Sequence, residues 1–137
     1  MARHTGLERE MRQICDEVWP HLARYRPKPT ILSKQGGSSA CYYGGEIHTV
    51  YFRWNVWDKL TLAAKRMLAI HELWHAAGHD HKATDGFTTA FDLLTVEIYK
   101  AIYGADDAYR DLMTRLRAIV TRELRHPATG EKGYLET

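Results

Sequence analysis

The chain has 137 residues, 45% of them hydrophobic, and a formal net charge of +2, which suits one globular domain and excludes a disordered chain. So small a charge makes no electrostatic case for nucleic acid, and no Lys/Arg run forms a dense patch. The two cysteines, Cys15 and Cys41, are too few for a disulfide framework and lack metal-ligand spacing. They read as buried thiols, although spacing alone leaves a bridge between them open. No apolar stretch reaches the roughly 20 residues that span a bilayer. The start MARHTGLEREMRQ lacks the apolar core of a secretory signal. A soluble cytoplasmic protein with no membrane contact is expected.

Thr5-Gly6-Leu7-Glu8 has the form of a capping box, and Leu7, Met11, Ile14, Cys15, Val18 and Leu22 follow at helical spacing. Pro20 is expected to end this helix near Trp19. After the linker Arg26-Pro27-Lys28-Pro29, residues 30–33 read as a short strand and 35–39 as a turn. Residues 40–43 and 46–54 are two β-rich runs separated by Gly44-Gly45, the pattern of a hairpin with a tight turn. Polar and apolar residues do not alternate cleanly along 47–52, so pattern alone does not fix the buried face. A sheet edge near an active site can pair with an extended peptide through its backbone, or it can simply be covered.

Asp58 is placed to cap a long helix over 59–77, and the breadth of its apolar surface predicts burial on most sides. Thr84 or Asp85 can cap a further helix over 86–103, ended by Gly104. A last helix is expected over 106–125, with Asp106 and Asp107 at its start and Arg122 and Arg125 at its end, as the helix dipole favours. Pro127 stops it, and 128–137 is a polar tail expected to be flexible.

The chemistry concentrates in residues 71–81, which read HELWHAAGHDH. At about 100° per residue, four steps bring His75 back to within about 40° of His71, one turn along the helix. Two imidazoles on one face can then grip one metal ion. Glu72 stands beside the first, where its carboxylate can reach a metal-bound water without entering the coordination shell. On a continuing helix, His81 would lie about 240° round from His75 and about 9 Å farther along. It can join the same ion only if the chain breaks, and Gly78 is placed to take the left-handed conformation that breaks it.

Three histidine ligands leave one tetrahedral position open, the arrangement of a catalytic zinc. The expected chemistry is peptide hydrolysis, with Glu72 as general base and one zinc ion as Lewis acid. Rivals for the third ligand are Glu97, Asp92, His79 and Asp85, though only His81 has a glycine ahead of it at loop spacing. Tyr99 and Tyr103 are conceivable oxyanion partners. The spacing does not fix the metal, since cobalt, nickel or copper also suit three imidazoles.

The pattern His-Glu-x-x-His-x-x-Gly-x-x-His resembles the metzincin signature of zinc endopeptidases. Metzincins add a methionine turn, but the only methionine after the motif, Met113, falls in a helical run. The overall layout is more similar to the small SprT-like or WLM-type metallopeptidases, over about residues 29–103. That resemblance implies an α+β, minimal zincin-like domain over 1–127. In it a small β-sheet or hairpin packs on a long active-site helix, with further helices on either side. It also implies metal ligands at His71, His75 and His81, catalysis by Glu72, and a protein or peptide substrate.

Gly78-His79-Asp80-His81 resembles the YbeY-like zinc endoribonucleases as well, whose second motif position is glycine where this chain has Glu72. A glutamate there supplies the base that peptide hydrolysis uses, which favours the peptidase. A metal-binding module without turnover is the third alternative.

Overall fold

A computed structural model describes residues 2–23, 26–36, 40–79 and 90–125. The fold is α+β: among the described residues there are five helices and one three-stranded mixed sheet. The chain divides into two compact units, Met1–His79 and Asp80–Thr137. Both motif histidines that the structure describes belong to the first. No described helix is long and apolar enough to cross a membrane.

Helix α1 (Ala2–Val18) buries Met11, Ile14, Cys15 and Val18, the stripe expected from their spacing. Pro20 sits in a 3₁₀ turn, Trp19–His21, and ends the α-helix as expected. Trp19 is buried, and its Nε1 donates to the Arg26 carbonyl at 3.2 Å. The capping box does not start the helix, which begins upstream at Ala2. Glu8 has other work: its Oε2 accepts from the backbone N–H of Ser33 at 2.7 Å and from Ser33 Oγ at 3.0 Å.

Strands β1 (Thr30–Lys34), β2 (Ala40–Tyr43) and β3 (Thr49–Arg53) lie in the order β1-β3-β2. Strand β3 runs parallel to β1 and antiparallel to β2. The β2–β3 pair is the hairpin expected, but its connection spans 44–48 instead of a two-residue turn. Gly45 at φ +66° and His48 at φ +39° carry the reversal. His48 is held there from three sides. Its carbonyl accepts the Thr30 N–H at 3.1 Å. Its Nε2 donates to the Pro27 carbonyl at 2.7 Å, so in the neutral ring Nδ1 accepts from the Tyr42 hydroxyl, also at 2.7 Å.

The sheet's buried face carries Ile31, Val50 and Phe52, which point inward. Phe52 packs on Trp57, ring centroids 4.8 Å apart, at the end of the single-turn helix α2 (Trp54–Trp57). Trp57 Nε1 and Lys65 Nζ both donate to Glu10 Oε1 at 2.7 Å, which ties α1 to α2 and to the first turns of the motif helix.

That helix, α3 (Leu62–Ala76), starts later than expected. Asp58 terminates α2, and Thr61 is the N-cap, its Oγ1 accepting from the Ala64 N–H at 3.2 Å. As expected, α3 is covered on most sides: Ala69, Ile70, Glu72, Leu73 and Ala76 are buried, its other residues from Ala63 onward are partly buried, and Leu62 alone is exposed at its start.

In the second unit, α4 (Ala90–Tyr103) and α5 (Asp107–Arg125) form a helical pair around Val96, Tyr99, Tyr109, Met113 and Leu116. Gly104, at φ +91°, ends α4, its N–H donating to Lys100 O at 2.8 Å. Asp106, expected as the first residue of α5, stands just before it and caps it, Oδ1 accepting from the Tyr109 N–H at 2.8 Å. Met113 lies buried within α5, so the helical reading of that stretch holds. The predicted start of α4 near 86, the stop at Pro127 and the tail 128–137 lie outside the described residues.

Candidate metal centre

His71 and His75 stand on adjacent turns near the C-terminal end of α3, ring centroids 5.0 Å apart and planes at 77°. Helical periodicity alone brings them together, and the core contacts of Ile70, Leu73 and Ala76 keep the turn that carries them fixed. Glu72 follows His71 directly on the same turn of α3. It is 7% exposed, and Oε2 is 3.8 Å from His71 Nε2, outside hydrogen-bond distance. Burial raises its carboxyl above the ordinary glutamate range, opposed by the positive potential of His71 and Lys34.

The orientation of His75 is set by the backbone. Its Nδ1 lies 2.9 Å from the carbonyl oxygen of His79. A carbonyl only accepts, so Nδ1 carries the hydrogen and, in the neutral ring, Nε2 carries the lone pair. This is the outer-shell arrangement that prepares an imidazole for a metal.

The chain break predicted at Gly78 is present. Gly78 has φ +105°, its N–H donates to His75 O at 2.9 Å, and the His79 N–H donates to Trp74 O at 3.2 Å. With Ala77 as C-cap, these two bonds make a Schellman motif. A Cβ at residue 78 would sit 2.7 Å from Arg26 Nη1, so glycine also makes room for that guanidinium. The His79 ring stacks flat on Trp74, centroids 3.7 Å apart and planes at 8°.

His81, the predicted third ligand, lies outside the described residues, as does the rival Asp85. Among the described residues, no group of three or more His, Cys, Asp or Glu side chains is arranged to hold a metal ion. Another rival, Glu97, has structural work within the second unit. Glu97 Oε1 accepts from the Tyr109 hydroxyl at 2.8 Å, and the hydroxyl of Tyr99, weighed as an oxyanion donor, donates to Asp106 Oδ2 at 2.6 Å. Asp92 is buried on α4, where its carbonyl accepts from Thr95 Oγ1.

Lys34 is the residue that sequence reasoning missed. It ends β1, donates to Cys41 Sγ at 3.1 Å, and acts electrostatically on Glu72. Nothing in its spacing marks it, because the relation depends on how the sheet meets α3. Comparisons with protein-family models, with curated proteins and with solved structures find no match to this chain.

The donor set fits a zinc ion at the two described positions. His71 and His75 share a helix face, and the outer nitrogen of His75 is already bonded to a carbonyl.

Proposed function

We propose that the protein is a zinc-dependent metallopeptidase in which His71, His75 and His81 hold the metal and Glu72 is the general base. One observation carries the reading: a buried carboxylate, raised in pKa by desolvation, beside a pair of histidines one helical turn apart. A zinc ion held there supplies a Lewis acid for the scissile carbonyl and makes water more acidic.

The remaining chemistry belongs to the chain's own groups. Glu72 takes a proton from the attacking water at its carboxylate and later delivers it to the departing amine. A carboxyl raised toward neutral pH serves both steps better than one at the ordinary value. His75 keeps its proton on Nδ1 throughout, because the residue 79 carbonyl holds it there. The burial of Glu72 keeps bulk water from most of its carboxylate.

The test compares casein and a structured RNA as substrates for the purified chain, with and without chelator, beside metal analysis and the Glu72→Gln variant. Chelator-sensitive casein cleavage that Glu72→Gln abolishes supports the peptidase. Cleavage of RNA alone would establish the nuclease reading instead. Zinc retained with both substrates intact would leave a metal-binding module.

A further inference from the structure

The turn after α3 does more than end a helix, because it delivers the acceptor for His75. The carbonyl bonded to His75 Nδ1 belongs to residue 79, the second residue beyond the C-cap. Helix ends fray, and an acceptor carried there needs its own anchorage if it is to stay within hydrogen-bond distance. Two backbone bonds of the Schellman motif provide part of it. The rest comes from the near-parallel stack of the His79 ring on Trp74.

We propose that Trp74 and His79 are positioning residues for His75: their stack clasps the turn so that the residue 79 carbonyl fixes the proton of the His75 imidazole on Nδ1. The ring that is clasped and the carbonyl that is used belong to the same residue, so holding one holds the other. Trp74 also supplies the carbonyl that receives the His79 N–H, so each residue grips its partner through both backbone and side chain. Gly78 is what permits the geometry. Its φ of +105° turns residue 79 back over Trp74, and its missing Cβ leaves space for Arg26 at the negative end of the helix dipole.

Without the clasp the His75 ring exchanges between its two neutral tautomers, and one of them presents N–H where a metal needs a lone pair. The purpose assigned to the clasp, readying a ligand, rests on the metallopeptidase reading. The tautomer does not, and this separates the two in an experiment.

The full-length chain, stripped of metal and labelled with ¹⁵N on its histidines, is examined by long-range ¹⁵N–¹H correlation for Trp74→Ala, His79→Ala, His79→Phe and the unaltered protein. Zinc affinity is measured on the same four by competition with a chromophoric chelator, and far-UV circular dichroism checks the fold. We expect a protonated Nδ1 and an unprotonated Nε2 on His75 in the unaltered chain and in His79→Phe, which keeps the stack. In His79→Ala and Trp74→Ala the two nitrogens should report a tautomer mixture, with zinc affinity about 10- to 100-fold weaker.

A role confined to stabilising the helix end would leave the tautomer unmoved. Retention of the Nδ1–H form and of full zinc affinity in His79→Ala would therefore overturn the proposal. Where Trp74→Ala fails to fold, the His79→Ala and His79→Phe pair decides. Should the unaltered chain bind no zinc, the metallopeptidase reading falls, and the ring nitrogens of the metal-free protein still decide the clasp.

Discussion

The Glu72 carboxylate lies 3.8 Å from His71 Nε2 and is 7% exposed, an acid kept from water beside a group that can be a cation or a metal ligand. Such a placement works against the stability of the metal-free fold. Burial raises the folded carboxyl above its unfolded value, more than His71 and Lys34 lower it. Between the unfolded and folded values, the folded chain therefore binds a proton that the unfolded chain has released. Stability falls as pH rises through that window, and the deficit persists at neutral pH. The metal-free Glu72→Gln variant should be more stable than the unaltered protein at neutral pH. That advantage should shrink as pH drops below the ordinary glutamate value. Denaturant unfolding of both proteins at the two pH values checks this, and equal midpoints at neutral pH would contradict it.

Glu72 and His75 should separate turnover from metal retention. Glu72→Gln removes the base but no ligand, so zinc should stay while peptide cleavage falls by about 10²–10⁴. His75→Ala removes a ligand and should lose both. Metal content by elemental analysis, set beside casein hydrolysis, distinguishes the two variants. A zinc-loaded Glu72→Gln protein with undiminished turnover would remove Glu72 from the mechanism.

Gly78→Ala should destabilise the first unit by about 1–3 kcal/mol, the cost of forcing a side chain into a backbone region that favours glycine. The new Cβ would also meet Arg26 Nη1 at 2.7 Å, though a guanidinium at the end of a flexible stem can move aside. The backbone term dominates, so Arg26→Ala should not rescue Gly78→Ala. Urea midpoints of the two single variants and the double variant measure this directly.

The two histidines were legible because helical spacing is a local property: residues four apart share a face wherever the helix lies. The break at Gly78 was legible for a similar reason, glycine being the residue best suited to a positive φ at a helix end. The start of α3 was not. Asp58 and Thr61 are both acceptable caps by chemistry, and the choice fell to Thr61 because the turn Trp54–Trp57 seats Trp57 against Phe52 and Glu10, which makes Asp58 the end of α2. Glu8 misled in the same way, since its capping-box position says nothing of a strand 25 residues later that needs an acceptor. Lys34, the His48 hub and the Trp74–His79 stack were likewise closed to pattern, because each joins residues whose meeting depends on how the chain turns.

Thiol labelling should distinguish the cysteines cleanly. Both are free, and Cys15 is fully buried in α1, where burial pushes its pKa up to about 12 against a smaller opposing effect of Lys28. Cys41 is half-buried on β2 beside the Lys34 ammonium. At neutral pH a thiol reagent should therefore modify only Cys41 in the native protein, and Cys15 should follow on denaturation. Peptide mapping by mass spectrometry identifies the site, and rapid native labelling of Cys15 would contradict the burial that holds α1 to the core.

Glu8 should matter more to the sheet than to the helix it sits on. Its carboxylate takes two donors from Ser33, one of them a backbone N–H at the outer strand of the sheet. Removing the acceptor strands that N–H in a part-buried position, which costs about 1–3 kcal/mol. It also leaves a strand edge less protected against pairing with another chain. Glu8→Gln keeps a carbonyl oxygen in place of Oε2 but loses the charge that strengthens both bonds, so it should lose less than Glu8→Ala. Ser33→Ala removes only the hydroxyl bond and should be milder than either. The order Ser33→Ala, Glu8→Gln, Glu8→Ala in decreasing urea midpoint is the expected result. A Glu8→Ala protein as stable as Ser33→Ala would show that the strand N–H finds water in place of the carboxylate.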